Sequence, residues 1–335
     1  MLDVKSAVLI CPAFFDYKNL IEKQLQKRFS SVYSFSDRPL CSSIAKALIK
    51  YNVANYNDFV SRRYSNDIFE EIKSILKDVS TIIIIKGTCI SFSFINMVKA
   101  VNPDVKVFVY NWDSISNVKG FISLAEKADK AMSFDFSDCQ DFNLQYLPLF
   151  YPDNYVQPNV TIANCKKKYR YSFIGSYHGD RAELLVKLLT KERHLSNYSF
   201  VRIYFQSKIQ FAVFFLKDPF LRRCPREWIS FDIIHRDMMN DILADTDYII
   251  DIHHQGQSGL TMRTWETLSL DYNLLTTNPF VLLHQPIASI EILNRPDASI
   301  WSNTDKQKFV EQVASNSIVT TSSFSLSSWL DELLK

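Results

Sequence analysis

Residues Thr81–Ile85 read TIIII, a run with no alternation of polar and apolar positions. A strand of that kind is covered on both faces, as in a parallel sheet sandwiched between helices. The rest of the first half repeats the theme. Ser6–Cys11 (SAVLIC) predicts a buried strand, Tyr17–Arg28 a helix with Leu20, Ile21 and Leu25 on one side, and Val32–Phe35 a second strand. Ile68–Leu76 has helical spacing, Phe92–Ala100 is a helix stopped ahead of Pro103, and Val105–Tyr110 (VKVFVY) is the next strand. Ala128–Phe134 and Gln145–Leu147 are shorter strands.

Residues 148–168 interrupt the pattern with Pro148, Pro152, Pro158 and then Lys166, Lys167 and Lys168, a linker composition. Alternation then restarts. Strands are expected at Tyr169–Ile174, Phe200–Tyr204, Tyr248–Ile252 and Asn273–Thr276. Helices are expected at Asp180–Leu189, His235–Leu243, Leu260–Leu270, Lys306–Ala314 and Ser327–Leu334. The fold class is therefore α/β, with two doubly wound, Rossmann-like domains facing a central cleft. A chain of 335 residues suits two domains. We place them at 1–165 and 166–320, with a C-terminal helix in 321–335 packing back on the first.

Only six glycines occur, too few for a glycine-rich phosphate loop, and neither a Walker loop nor GxGxxG is present. HExxH and GxSxG are also missing, so zinc-protease and hydrolase-elbow readings lose their signatures. A net charge of +2 gives no field for nucleic acid. Six scattered cysteines, without CxxC, predict neither a disulfide scaffold nor a zinc site. The N-terminal residues MLDVKSAVLICPAFF lack the pattern of a signal peptide, and no apolar run approaches the roughly 20 residues of a membrane span. These features predict a cytoplasmic protein.

Sites in such sheets lie at the carboxyl ends of the strands. After Tyr169–Ile174 comes Gly175-Ser176-Tyr177-His178-Gly179-Asp180-Arg181. A glycine there admits close backbone approach, the next helix offers unpaired N–H groups, and Arg181 puts a cation where a helix prefers an anion. The set fits a diphosphate; equally, Gly175 is a turn, Asp180 an N-cap and Arg181 a surface residue. A second strand, ending at Ile252, leads into His253-His254-Gln255-Gly256-Gln257-Ser258-Gly259 and a helix carrying Arg263 and Glu266. Positions 259, 263 and 266 share one helix face. Glu266 could accept a ribose diol and Arg263 hold a phosphate, or the two could form an internal ion pair. His253 and His254 are adjacent and point opposite ways on an extended strand, so no metal site is expected. Asp245-Thr246-Asp247 spells DxD ahead of its strand rather than after one, and is read as a helix end and strand entry. In the first half, Lys86-Gly87-Thr88 and Trp112-Asp113 follow strands; Asp113 is the candidate acid–base residue or else a helix cap.

The segment Gln257–Glu266 (QSGLTMRTWE), followed by Leu275-Thr276-Thr277-Asn278, resembles bacterial surface-polysaccharide glycosyltransferases of the GT-B type, those of lipopolysaccharide, O-antigen and capsule biosynthesis. The resemblance extends to Tyr110–Ser114, Ser133–Asp135, Leu147–Tyr151 and Ser172–Ser176. It implies a nucleotide-sugar donor, as substrate rather than cofactor, on the C-terminal domain, held by Gly175, Ser176, His178, Arg181, His253, Ser258, Gly259, Arg263 and Glu266. It implies an acceptor, a lipid-linked oligosaccharide, on the N-terminal domain with Asp113 as base, and catalysis without a metal. Of the paired glutamates common in GT-B enzymes, Glu266 matches the second, and Ser258 stands at the first. Retention or inversion therefore stays open. A nucleotide-sugar epimerase or hydrolase on the same fold, or a non-catalytic two-domain sugar-binding protein, fits the same pattern. Acceptor-dependent nucleotide release separates the three.

Residues 205–228 combine a Phe-rich apolar stretch with Lys208, Lys217, Arg222, Arg223 and Arg226 against only Asp218 and Glu227. Two readings stand. Phe211–Leu216 is a core helix ended by Pro219, or the segment attaches the protein peripherally to the inner leaflet of the cytoplasmic membrane.

Overall fold

The computed structural model describes residues 5–13, 16–42, 45, 48–49, 55–118, 120–153, 167–190, 198–284, 290–314 and 325–335. Most of the expected linker, 154–166, and the start of the last segment, 321–324, lie outside them. The chain divides into two compact units, Met1–Asp153 with Ser323–Lys335, and Asn154–Ser322.

The first unit holds six parallel strands: β1 (Ser6–Ile10), β2 (Ser31–Phe35), β3 (Val79–Ile85), β4 (Lys106–Asn111), β5 (Lys130–Ser133) and β6 (Gln145–Tyr146). They lie in the order β2-β1-β3-β4-β5-β6. The isoleucines of β3 are buried on both faces, as an unalternating run requires. Helices α1 (Tyr17–Leu25), α2 (Tyr56–Ile72), α3 (Phe92–Val101), α4 (Phe121–Ala125) and α5 (Phe136–Phe142) complete the layers. Val8, Ile10, Ile82, Ile84, Val107 and Val109 pack against Ile68, Ile72, Phe94, Val98 and Leu124. Helix α2 starts at Tyr56, well ahead of the helix expected from Ile68. Its inward positions there are Asn57, Ser61 and Ser65, so no apolar period marks the first turns. Hydrogen bonds replace apolar contact: Ser61 donates to Asn57, and Ser65 Oγ accepts the Ser91 N–H at 2.9 Å. Leu76–Asp78, expected to end that helix, is a 3-10 turn.

The second unit has β7 (Tyr169–Ser176), β8 (Ser199–Tyr204), β9 (Ile229–Ser230), β10 (Thr246–Asp251), β11 (Asn273–Thr276) and β12 (Ile290–Ile292), again all parallel. Their order is β12-β11-β10-β7-β8-β9. The chain builds outward from β7 in one direction and then, from β10, in the other, so the switch point lies between β7 and β10. Helices α6 (Arg181–Leu189), α7 (Lys208–Lys217), α8 (Arg236–Ala244), α9 (Met262–Ser269) and α10 (Asn303–Ala314) follow. Asp245 caps the end of α8, and Asp247 sits in β10 paired with Arg170 at 3.1 Å, so the DxD residues are a helix end and a strand entry. Helix α7 buries none of its residues fully; Phe211 and Phe214 pack partly buried on the core, so the core-helix reading holds for one side of the helix.

The last helix, α11 (Leu326–Leu334), belongs to the first unit. Trp329 lies edge-on to Tyr110 at 4.9 Å and against Phe150 at 4.7 Å. Arg28 pairs with Asp331 at 2.7 Å, and Lys130 donates to the Glu332 carbonyl.

Candidate functional site

At the switch point of the second sheet, β7 and β10 end side by side and their loops part. Arg181, the first residue of α6, spans the gap: Nε donates to the Ile252 carbonyl at 2.8 Å and Nη1 to the Ser176 carbonyl at 2.7 Å. Its guanidinium lies over the Phe173 ring. A Cβ on Gly175 would come within 2.9 Å of Phe173 Cζ and 3.2 Å of Arg181 Nη1. The glycine is thus required by the arginine that crosses it. Burial pushes the Arg181 guanidinium down to about 10, so it stays charged at neutral pH. Among the described residues its hydrogen-bond partners are carbonyls, and the charges that act on it are the carboxylates of Asp251 and Asp180 and the cation of Arg295.

Asp180, weighed as an N-cap, makes no side-chain cap. Both its oxygens accept from Arg295 Nη1, at 2.7 and 2.6 Å, and one also from Gln255. Burial opposes ionisation of Asp180, but these bonds hold its pKa below the ordinary value. The other arm of Arg295 donates to the His253 carbonyl at 2.6 Å and reaches His253 Nδ1 and Thr277 Oγ1. Thr277 Oγ1 stands 2.7 Å from the same ring nitrogen and accepts the His253 N–H. With the ring proton on Nε2, Nδ1 is the nitrogen that accepts from Arg295 or Thr277. Burial, then the Arg295 cation, pushes His253 down to about 3, so it is neutral at physiological pH. His178 is likewise pushed down to about 3 by burial, Arg181 and His254. Its ring lies 5.5 Å from that of His254, which accepts the Gly256 N–H. The crevice therefore joins Arg181 and the Arg295–Asp180 pair to two uncharged imidazoles.

Asp251, at the end of β10 and buried, accepts from Thr261 at 2.9 Å and Thr264 at 2.6 Å. Thr261 also caps α9 by accepting the Thr264 N–H. Asn278, fully buried after β11, donates to the carbonyls of Ser258 and Gly259. These contacts tie the polar loop to both strand ends. One turn on, Arg263 Nη1 meets Glu266 Oε2 at 2.9 Å, with Glu266 only 3% exposed. The internal ion pair, one of the two arrangements read from the spacing, is the one present.

In the first unit, Asp113 follows β4 and Lys86 follows β3, and their charges meet at 2.6 Å. Asn117 and the Ser114 N–H also donate to Asp113. Burial works against its ionisation, yet Lys86 and these donors hold its pKa below the ordinary value. Asp138 is pushed up to about 6 by burial, with Asp135, Asp141 and Asp113 adding to the rise. Arg295 and Asp138 were not singled out from the sequence, and Asp180 was read only as an N-cap. For Arg295 a signal existed: the apolar run Ile290–Leu293 passes into Asn294-Arg295-Pro296-Asp297, a strand followed by a polar loop. Among the described residues, no three His, Cys, Asp or Glu side chains gather to hold a metal ion.

No family model matches the sequence, and no curated protein matches it. Solved structures do resemble it in fold. An alpha-glucosyltransferase in complex with UDP and a 13-mer DNA superposes with TM-score 0.52 at 9% identity, over 92% of this chain and 90% of that one. The UDP-GlcNAc 2-epimerase of Neisseria meningitidis bound to UDP-GlcNAc gives 0.51 at 9% identity, over 98% and 99%. The Methanocaldococcus jannaschii UDP-GlcNAc 2-epimerase in complex with UDP-GlcNAc and UDP gives 0.50 at 10%, again over 98% and 99%. The architecture is that of GT-B proteins, with two Rossmann-like domains.

Proposed function

We propose that the protein is a metal-independent glycosyltransferase that moves a sugar from a nucleotide-sugar donor to a lipid-linked bacterial surface glycan in the cytoplasm. The observation that carries the donor site is Arg181, a half-buried cation whose hydrogen bonds, among the described residues, go to strand-end carbonyls at a sheet switch point, where ligands bind in such folds. Arg181, the first turn of α6 and the Nε2–H of His253 supply positive potential and donors for a diphosphate. Glu266, oriented by its ion pair with Arg263, accepts ribose hydroxyls. Gly175, Ser176, His178, Ser258 and Gly259 shape the loops around that ligand. The acceptor oxygen forms its bond to the anomeric carbon as the bond to the diphosphate breaks, and the electron pair leaves with the diphosphate. If the reaction inverts the anomeric carbon, the acceptor proton passes to a carboxylate of the first unit, for which we propose Asp113, held ionised by Lys86. The resemblance of Gln257–Glu266 to surface-polysaccharide enzymes supports the substrate class.

A thermal-shift panel of nucleoside diphosphates and nucleotide sugars tests the reading. A ligand at about 100 times its Kd stabilises the native unit by about 2.7 kcal/mol. Arg181→Met should remove that shift, and Glu266→Ala and Arg263→Ala should weaken nucleotide binding in calorimetry, by about 1.5–3 kcal/mol each. A wild-type protein that no nucleotide stabilises would refute the donor site. Nucleotide-sugar turnover that needs no acceptor would instead establish an epimerase or hydrolase, and binding without turnover a sugar-binding protein.

A further inference from the structure

Helix α7 turns an apolar stripe to solvent. Phe211 and Phe214 face inward: Phe211 meets Phe205 edge-on at 5.1 Å, and Phe214 lies 4.8 Å from Tyr177. On the opposite side, Ile209, Ala212, Val213 and Leu216 follow the spacing i, i+3, i+4, i+7 that normally marks a buried face. Here that face is outside, with Ile209 and Leu216 each 79% exposed and Val213 45%. Phe215 and Phe231, both partly exposed, stand beside Phe211 and widen the patch.

We infer that this outward stripe is a docking face for an anionic lipid bilayer, and that it holds the protein peripherally on a membrane. Charge decides for lipid over a protein partner. Exposed Lys208 and Lys217 bracket the stripe at the two ends of the helix, while protein interfaces are depleted in lysine. Their long stems let the ammonium groups reach headgroups while the aliphatic residues enter the acyl boundary. Asp218, the acid nearest the stripe, is turned away: it accepts from Tyr177 Oη at 2.8 Å and from the Phe220 N–H. The arginines divide their roles. Arg222 donates to the carbonyls of Phe215 and Leu216 and closes the end of α7. Arg223 lies over the Phe220 ring. Lys208 and Lys217 are therefore the primary lipid-facing cations, and replacing Arg222 would confuse headgroup contact with loss of a helix cap. No described helix is long and apolar enough to cross a membrane, so the attachment is a surface one. The inference does not depend on what the second unit transfers.

The test uses the full chain with vesicles of phosphatidylcholine alone or mixed with phosphatidylglycerol. We expect co-sedimentation with the mixed vesicles at about 50 mM salt and release at about 500 mM, as screening weakens the lysines. Ile209→Ser, Val213→Ser and Leu216→Ser together should lower partitioning at least about tenfold with Tm unchanged, because these side chains are exposed. Lys208→Gln with Lys217→Gln should weaken binding and flatten its salt dependence. The inference is overturned if the wild type ignores anionic vesicles at low salt, or if the triple variant binds as the wild type does. It is also overturned if the triple variant loses Tm, which would make the stripe a packed face, or if light scattering shows a dimer that the triple variant abolishes. Nucleotide binding is read separately by calorimetry, so failure here leaves the donor site standing and failure there leaves this face standing.

Discussion

Arg295 is the residue on which the second unit's loops depend, and Arg295→Met is the most informative perturbation. The side chain is 19% exposed and its partner Asp180 15%. The substitution removes two charge-assisted bonds to Asp180 and the donor to the His253 carbonyl. It leaves a mostly buried carboxylate held by Gln255 alone among the described residues. Breaking one side of a buried pair costs about 3–5 kcal/mol, and the residual exposure of both groups lets water recover part of it. The expected loss is therefore about 2–4 kcal/mol in the second unit's unfolding transition, read by calorimetry or urea. Asp180→Asn should cost less, and the double variant should cost less than the sum, with a coupling of about 1–3 kcal/mol. Removing the cation also removes a secondary cause of the depressed His253 pKa, leaving burial as the main one, so the ring should titrate above its present value of about 3. Ring-nitrogen NMR reads both the titration and the tautomer. The reasoning fails if Arg295→Met costs under about 0.5 kcal/mol, if the cycle shows additivity, or if His253 in the wild type carries its proton on Nδ1.

Gly175→Ala should destabilise the second unit by about 1–2 kcal/mol and weaken nucleotide binding, because the new Cβ meets Phe173 and the anchored Arg181; unchanged Tm would contradict that crowding. Stability should fall in acid. His253 is held neutral in the fold, with its pKa pushed down to about 3, and the unfolded chain binds its proton at the ordinary value of about 6.5. As pH drops from about 6.5 toward 3, His253 alone removes about 1.4 kcal/mol per pH unit, and His253→Asn should flatten that slope. Asp113→Asn should lower transfer kcat by about a hundredfold or more, with nucleotide binding intact. The wild-type acid limb should lie below the ordinary carboxylate range, since Lys86 holds Asp113 ionised. Transfer should persist in excess chelator; a complete block reversed by a divalent cation would refute the metal-free reading.

The two parallel sheets were legible in the amino-acid sequence because a strand covered on both faces and a helix with one apolar side each leave a local period. Thr81–Ile85, Tyr169–Ile174 and Tyr248–Ile252 needed nothing else, and the carboxyl ends of the last two located the loops at 175–181 and 253–259. Where the local period was silent, as in the polar inner face of Tyr56–Asp67, the element was missed. The tertiary structure alone decided what those loops do. Arg181 reaches a carbonyl 71 positions away, and Arg295 reaches His253 across 42 positions and Asp180 across 115. No short-range pattern encodes such meetings, because they arise only when parallel strands distant in sequence end at one edge. Spacing allowed Arg263 and Glu266 either to face a ligand or to face each other, and packing closed them into a pair. Composition likewise identified residues 205–228 as apolar and basic. Which side of helix α7 met the core depended on where Phe205 and Tyr177 stood, and they took Phe211 and Phe214 inward and left Ile209, Val213 and Leu216 in water.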